Sequence, residues 1–115
     1  IPDKKLVYKV TRSYYEILIN EGVKIYEYTP GFIHAKNFVC DDKVATVGTI
    51  NLDYRSLYLH FECGVYIYQT SAIKDIKNDF LKTITLSKEI TQDDVMHGKF
   101  RGWTEAILRV FAPLL

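Results

Sequence analysis

The sequence predicts an α/β fold in which a mixed β-sheet is flanked by helices. In some stretches apolar residues recur at intervals of three and four, the period of a helix. In others they alternate with polar residues between turn signals, the pattern of strands. Over 115 residues, 48% are hydrophobic and 25% charged, which is typical of a globular protein that can bury a core. We therefore expect residues 1–115 to form one domain.

The first periodic stretch predicts a helix over about residues 8–21, after a polar loop at residues 3–5. Its apolar positions are Val7, Val10, Tyr14, Ile17 and Leu18. Gly22 suits the left-handed backbone position just past a helix end, so the helix is expected to stop there.

Three strands are expected after this helix. Residues 23–28 alternate apolar and polar side chains and run into a Thr-Pro-Gly turn at 29–31. Residues 32–40 form the second strand. The sequence Asp-Asp-Lys at 41–43 then makes a tight turn, and residues 44–51 return as the hairpin partner.

The next stretch, residues 52–61, is expected to be a loop with one helical turn, and residues 62–68 a fourth strand. Thr70 or Ser71 can cap the helix that follows. The apolar stripe of that helix consists of Ile73, Ile76, Phe80, Leu81 and Ile84.

Two further helices are expected towards the end of the chain. A short one is capped by Thr91 and carries acidic residues in its first turn. The other is an amphipathic helix within residues 99–115 that contains Trp103. It can either pack on the sheet or lie in a membrane interface, and the pattern leaves both alternatives open.

The charge and hydropathy patterns exclude several classes of function. The net charge of +1 gives no excess that would favour nucleic acid, so no nucleic-acid partner is expected. No uncharged stretch reaches the ~20 apolar residues that a membrane span needs. The start, Ile-Pro-Asp-Lys-Lys, has neither a Met nor the apolar region of a signal peptide, so we expect a fragment of a longer protein.

The two cysteines, Cys40 and Cys63, are not arranged as a C-x-x-C pair. We expect them to be reduced, unbridged and mostly buried. The chain offers no zinc-type ligand spacing, so neither a metal nor another cofactor is expected.

Polar residues in the predicted hairpin suggest a reaction site. His34 and Lys36 are two apart, so on one strand they share a face. Thr49 and Asn51 are two apart on or just beyond the return strand. Gly48 offers backbone without a side chain, where a ligand can come close.

These groups fit the chemistry of a phosphodiester. An imidazole is a nucleophile or base near neutral pH, and an ammonium suits phosphate. Hydroxyl and carboxamide groups donate hydrogen bonds to phosphoryl oxygens. Glu62 begins the fourth strand and can orient the His34 imidazole through its second nitrogen. The alternative is that His34 and Lys36 are ordinary exposed strand residues.

The spacing His34, Lys36, Asp41 reads H-x-K-x-x-x-x-D, and Gly48-Thr49-Ile50-Asn51 follows six residues later. This resembles the H-x-K-D signature of the phospholipase D superfamily with its G-[ST]-x-N. The flanks, RSYYEILINEGVKIYEYTPGFIHAK and TVGTINLDYRSLYLHFE, resemble the second such domain of bacterial cardiolipin synthases. The similarity covers essentially the whole chain.

The resemblance implies a site in which a His forms a covalent phosphohistidine. It implies that Lys36 and Asn51 hold phosphate oxygens, that Gly48 and Thr49 line the pocket, and that Glu62 pairs with the His. Asp41 is expected to serve the hairpin turn rather than the chemistry. Arg55 is a candidate for binding lipid phosphate or glycerol, with a salt bridge to Asp53 as the alternative.

Family members build one site from two motifs, and this chain holds one. The resemblance therefore implies a C-terminal half of a membrane-anchored enzyme that converts two phosphatidylglycerol molecules into cardiolipin and glycerol. Its expected partners are anionic phospholipid, the membrane surface, and the missing motif half or a second copy. Which imidazole is the nucleophile stays open.

Two other functions remain alternatives at this point. One is a single-motif phosphodiesterase or nuclease that completes its site as a homodimer. The other is a non-catalytic module that packs against a partner domain or a membrane.

Overall fold

The computed structural model of the chain describes residues 2–96. The order of helices and strands is α1 (Pro2–Ser13), α2 (Tyr15–Asn20), β1 (Ile25–Tyr28), β2 (Lys36–Cys40), β3 (Val44–Gly48), a π-helical turn (Arg55–Leu59), β4 (Gly64–Tyr68), α3 (Ser71–Thr85), β5 (Ser87–Ile90) and α4 (Gln92–Met96). The α/β class predicted from the sequence is confirmed. The terminal helix expected within residues 99–115 lies outside the described residues.

The N-terminal helix differs from its prediction at its start and in its middle. The predicted loop at residues 3–5 was wrong, since α1 already begins at Pro2, a residue that suits the first turn of a helix. The helix is also broken at Tyr14. There Ser13 Oγ donates to the backbone oxygen of Val10 at 2.6 Å, a local bond that competes with helical pairing.

The end of the second helix follows its sequence signal. Gly22 has a φ of +86°, and its amide donates to the carbonyl of Ile19 at 3.0 Å. The amide of Val23 donates to Leu18 at 3.0 Å. This pair of bonds is the Schellman motif, in which glycine takes the left-handed position.

The five strands lie in two sheets. One is a three-stranded antiparallel sheet in the order β2-β3-β4, and the other pairs β1 with β5. The predicted hairpin is confirmed, but β2 begins only at Lys36, so residues 32–35 precede the strand. The strand β5 was not predicted from the sequence. Its residues Ser-Lys-Glu-Ile lack an apolar alternation that would mark them as a strand.

The hairpin turn uses two residues with left-handed backbone. Asp41 and Asp42 have φ values of 50° and 56°, and the amide of Lys43 donates to Cys40 at 3.0 Å. Positive φ at both central residues is the conformation of a type I′ turn, whose twist matches that of the flanking strands. Aspartate tolerates this conformation better than most residues do.

This turn gives a first prediction about Asp41. Replacing Asp41 with glycine should raise the free energy of unfolding by about 0.5 kcal/mol, because glycine carries no Cβ penalty at positive φ. Replacing it with valine should lower the free energy of unfolding by about 1–2 kcal/mol. Urea denaturation of both variants measures these changes. Equal stability of the two would contradict the claim that the positive φ at residue 41 sets the effect of a substitution there.

Residues 28–88 form one compact unit, and the described residues on either side of them form another. In the first unit, α3 packs on one face of the three-stranded sheet. Ile73 of the helix and Ala45 of β3 are each 1% exposed. By register, Val39 and Ile67 flank Ala45 on that face. Thr70 occupies the predicted cap position, although its side chain makes no capping bond.

Two predictions about burial in this unit were wrong. Phe80 and Leu81 of the predicted apolar stripe are exposed. Cys40 and Cys63 are unbridged as expected, but both are exposed rather than buried. The buried residue of α3 is Ile73 in its first turn, and Phe80 and Leu81 lie about two turns further along the helix. Cys40 is the last residue of β2, and Cys63 directly precedes β4.

The second unit contains α1, α2 and α4. Glu27 accepts a hydrogen bond from Tyr8 Oη at 3.0 Å and pairs with Arg12 at 3.3 Å. Burial, with Glu27 nearby, raises the pKa of Tyr15 to about 12. Thr91 occupies the predicted cap position of α4, and the Asp94 side chain accepts from its amide and hydroxyl at 3.0 and 3.1 Å, which is the return bond of a capping box.

Candidate active site

The strand register brings three chain segments to one end of the three-stranded sheet. Lys36 at the start of β2 pairs with Gly48 at the end of β3, and Gly48 pairs with Gly64 at the start of β4. The residues just before β2, just after β3 and just before β4 therefore lie at the same end. His34, Thr49 and Glu62 belong to these three segments.

Thr49 joins two of these segments. Its backbone amide donates to the carbonyl of Cys63 at 3.0 Å, and its Oγ1 accepts from the Cys63 amide at 3.1 Å. The same hydroxyl donates its proton to Glu62 Oε2. A threonine at this position therefore fixes the carboxylate of Glu62 relative to the sheet.

The Glu62 carboxylate is held in its charged form. Its pKa is lowered below the ordinary value of 4.5, chiefly by the hydrogen bond from Thr49 and then by one from Ser56. A group with a lowered pKa stabilises the folded state above its ordinary pKa. That stabilisation is lost as the pH falls through the lowered value.

A prediction follows for Thr49→Val, which keeps the side-chain shape and removes the hydroxyl. The pKa of Glu62 should rise towards 4.5, because its largest stabilising donor is gone. A titration of the Glu62 carboxyl carbon by NMR measures this. Thr46→Val, three residues earlier on β3, is the matched control and should leave that pKa unchanged. A Glu62 pKa that is the same in both variants would show that Thr49 does not set it.

Asn51 belongs to a second group of contacts beside Glu62. Its Nδ2 donates to Ser56 Oγ at 3.4 Å, and the Ser56 amide donates to Asp53 Oδ1 at 2.7 Å. Ser56 is buried and also bonds to Glu62. It therefore connects the carboxamide of Asn51 to the carboxylate.

Sequence reasoning did not assign Ser56 to the site. The available signal was Asp53, three residues earlier, a spacing at which an aspartate caps the first turn of a helix. That cap forms here and starts the helical turn that carries Ser56. The pattern predicts the turn, but not that its serine reaches Glu62.

His34 and Lys36 form a separate contact. Lys36 Nζ donates to the backbone oxygen of His34 at 2.6 Å, and the His34 ring lies 6.1 Å from that of Phe32. Because β2 begins at Lys36, the expectation that the two side chains share a strand face does not apply to His34. The His34 side chain is exposed.

The predicted hydrogen bond between His34 and Glu62 is not formed among the described residues. Glu62 bonds to Thr49 and Ser56 instead. The fold thus brings Thr49, Asn51 and Glu62 into one connected group. It brings His34 and Lys36 to the same end of the sheet as a second group.

The packing of the sheet itself requires a small residue at position 48. A Cβ built on it would be 2.5 Å from the Cys63 oxygen and 2.7 Å from the Gly64 Cα. Close approach of β3 and β4 therefore requires glycine at this position. Sequence reasoning expected a ligand to use that space.

Of the two remaining predicted residues, Asp41 lies apart from both groups, and Arg55 directly precedes Ser56 on the helical turn. Asp41 is in the hairpin turn just after Cys40, and Cys40 lies at the opposite end of β2 from Lys36, roughly 13 Å away at strand spacing. Asp41 Oδ2 accepts from Cys40 Sγ at 3.6 Å. Arg55, on the helical turn, has Nη2 3.1 Å from His60 Nε2.

The described residues contain no group of three or more His, Cys, Asp or Glu side chains that could hold a metal ion. Within the same part of the chain, no helix has the length and apolar character needed to cross a bilayer.

Comparison with known proteins decides the family. The cardiolipin synthase, phospholipase D-like domain family matches residues 1–84. The chain belongs to this family. The candidate site residues between His34 and Glu62 all lie within the matched range.

Individual relatives agree with this assignment. The chain is 49% identical to an uncharacterized protein of Streptococcus mutans, over 100% of this chain and 25% of that protein. It is 40% identical to a cardiolipin synthase of Geobacillus kaustophilus and 36% identical to one of Halalkalibacterium halodurans, over 99% of this chain and 23% of each relative. This chain thus spans about a quarter of the length of these relatives. No solved structure gives a significant match.

Proposed function

We propose that this chain is half of the active site of a phosphatidyltransferase, which makes cardiolipin and glycerol from two phosphatidylglycerol molecules. The observation that carries the proposal is the strand register in a member of this family: Lys36 lies opposite Gly48, and Gly48 lies opposite Gly64. Because of this register, His34, Thr49 and Glu62 share one end of the sheet although they are far apart in sequence.

The reaction needs two imidazoles, of which His34 is one. In the first step one imidazole nitrogen attacks the phosphorus of phosphatidylglycerol. A P–N bond forms, the P–O bond to the headgroup glycerol breaks, and the second imidazole gives its proton to the departing oxygen. The product is a phosphatidyl-histidine and free glycerol.

The second step reverses the direction of proton transfer. A headgroup hydroxyl of another phosphatidylglycerol attacks the phosphatidyl-histidine. A P–O bond forms, the P–N bond breaks, and the second imidazole takes the proton of the attacking hydroxyl. The product is cardiolipin, and both imidazoles regain their starting forms.

The other residues act on the phosphate or on each other. The Lys36 ammonium and the Asn51 carboxamide bind the phosphoryl oxygens, where negative charge grows in the transition state. Arg55 binds the phosphate or glycerol of the lipid. Thr49 and Ser56 hold Glu62, whose bonds to both hydroxyls support a positioning role. When substrate arrives, Glu62 orients the His34 imidazole.

The second half of the site comes from outside residues 1–115. The relatives are about four times as long as this chain, which supports a parent enzyme with a second motif and a membrane anchor. In that enzyme this chain is the C-terminal one of the two motif-bearing parts. A second copy of the chain is the other way to complete the site.

The test is to incubate the full-length protein with phosphatidylglycerol vesicles and measure cardiolipin and glycerol by mass spectrometry. Equal molar amounts of both products are expected, and the 115-residue chain alone should form neither. Phosphatidic acid in place of cardiolipin would replace the proposal with a hydrolase. Cleavage of a soluble phosphodiester by a dimer of the chain, without cardiolipin, would replace it with a single-motif phosphodiesterase.

A further inference from the structure

Arg55 and His60, at the two ends of the helical turn, are joined by two contacts. The amide of His60 donates to the carbonyl of Arg55 at 2.9 Å, a bond across five residues that closes the π-helical turn Arg55–Leu59. The side chains also meet, because Arg55 Nη2 lies 3.1 Å from His60 Nε2. Single π-helical turns are rare and are found frequently at functional sites. This one sets an imidazole against a guanidinium.

The side-chain contact defines the protonation state of His60. A guanidinium has only N–H donors and stays protonated, so His60 Nε2 accepts the bond. A ring nitrogen that accepts carries no proton, so the ring is neutral and its proton is on Nδ1. The contact between Arg55 and His60 therefore exists only while the imidazole is uncharged.

The pair lies directly beside the candidate site. Ser56 follows Arg55 in the chain and bonds to Glu62, and His60 precedes Glu62 by two residues. The pKa of Glu62 is lowered by the bonds from Thr49 and Ser56 and, less strongly, by the charge of His60. The imidazole thus has the guanidinium of Arg55 as one neighbour and the carboxylate of Glu62 as another.

Protonation of His60 reverses its preference between these neighbours. The charged ring cannot accept from Arg55, and it places a second positive charge beside the guanidinium. The acids nearby are Glu62, on which the charge of His60 acts, and Asp53, whose charge acts on Glu62 in turn. A protonated His60 is therefore repelled by Arg55 and attracted by the acids. Histidine is the side chain whose charge ordinarily changes between about pH 5 and 8.

We propose that neutral His60 is a positioning residue that holds the Arg55 guanidinium at the candidate site, and that protonation of its ring releases Arg55. This rests on the proposed function, in which Arg55 binds the phosphate or glycerol of the lipid. The guanidinium is a rigid planar fork, so one bond from Nη2 to His60 orients the whole group. A group that is already oriented loses less side-chain entropy when substrate binds. His60 therefore lowers KM and leaves kcat unchanged.

Initial rates of cardiolipin formation by the full-length protein test this proposal. They are measured over a range of phosphatidylglycerol concentrations in detergent micelles, at about pH 7.5 and about pH 5.5. His60→Leu removes the acceptor and should raise KM about fivefold at the higher pH. His60→Gln keeps an acceptor oxygen close to the position of Nε2 and takes up no proton, so its KM there should equal that of the unchanged enzyme.

At the lower pH the order of the proteins should change. The KM of the unchanged enzyme should approach that of His60→Leu, while the KM of His60→Gln stays about fivefold lower. His34 titrates in all three proteins, so they are compared with one another at each pH, and their kcat values should agree. The proposal is overturned if His60→Leu has the KM of the unchanged enzyme at the higher pH, or if His60→Gln behaves like His60→Leu.

A second measurement does not depend on the reaction. Proton–nitrogen correlation NMR spectra of the histidine rings in the chain of 115 residues report which nitrogen carries the proton. At about pH 7.5 neutral His60 should be protonated at Nδ1, whereas an unconstrained neutral imidazole favours Nε2. Arg55→Ala should return His60 to the Nε2–H form. Arg12→Ala removes a guanidinium that pairs with Glu27 and is the matched control, in which Nδ1 stays protonated.

The NMR result distinguishes failure of this proposal from failure of the proposed function. Circular dichroism establishes that each variant is folded. An Nε2–H ring at His60 in the unchanged chain, or an Nδ1–H ring in Arg55→Ala, overturns the proposal. If the full-length protein forms no cardiolipin, the proposed function fails, and the site of the ring proton still decides whether His60 holds Arg55.

Discussion

Replacing His34 with alanine in the full-length enzyme is expected to lower the rate of cardiolipin formation by at least about a thousandfold. The side chain is exposed and contributes no buried area to the core, so the variant should remain folded. Its contacts are the ring of Phe32 and, through its backbone oxygen, Lys36. The loss should therefore appear in kcat, with little change in the melting temperature.

The control for this prediction is Lys77→Ala. Lys77 pairs with Asp42 at 2.7 Å at the hairpin-turn end of the sheet, away from His34. Both partners are exposed, so the pair contributes at most about 1 kcal/mol. Cardiolipin formation by Lys77→Ala should equal that of the unchanged enzyme. Normal turnover in His34→Ala would show that the His34 imidazole takes no part in the reaction.

The same variant distinguishes the nucleophile from the general acid. A phosphatidyl ester of p-nitrophenol has a leaving group that departs without a proton. If His34 is the acid, His34→Ala should release nitrophenol from this substrate at nearly the normal rate. If His34 is the nucleophile, no rescue is expected, because the P–N bond cannot form. This measurement therefore decides whether His34 is the nucleophile or the general acid, which the sequence leaves open.

Local signals in the sequence predicted local structure well. The Asp-Asp turn and its two strands follow from alternation and turn chemistry over a few residues. Gly22 marked a helix end, where its own amide bonds back to the last turn, and Thr91 marked a helix start, where the Asp94 side chain accepts from its amide. These elements form through contacts between residues that are close in sequence, so a single sequence contains the information needed to predict them.

Longer-range features could not be predicted with the same means. Alternation does not show where β2 begins, since that depends on how far β3 extends opposite it. The strand β5 forms through its pairing with β1 rather than through its own pattern. The contacts of Glu62 could not be predicted either, because the hydroxyls of Thr49 and Ser56 reach its carboxylate only in three dimensions. In each case the missing information is a contact between residues that are far apart in sequence.

Replacing Gly48 with alanine is expected to disrupt the site end of the sheet. The new Cβ would lie 2.5 Å from the carbonyl oxygen of Cys63 and 2.7 Å from the Cα of Gly64. Both neighbours are backbone atoms, which cannot rotate away as a side chain does. Relief requires β3 and β4 to separate where the Thr49 amide donates to Cys63. We expect the free energy of unfolding to fall by about 3 kcal/mol and the melting temperature by about 10–20 °C.

The matched control is Gly64→Ala, directly opposite in the register. A Cβ there would be 3.6 Å from the oxygen of Val47, an ordinary van der Waals contact, so the cost should stay below about 1 kcal/mol. Urea denaturation of both variants measures the difference. Because separation at Gly48 also moves Thr49 away from Glu62, the pKa of Glu62 should rise in Gly48→Ala and remain low in Gly64→Ala. Equal stability of the two variants would mean that β3 and β4 can separate enough to accept a methyl group at position 48. The close approach of the two strands would then not be the reason for glycine in the Gly-Thr-Ile-Asn segment.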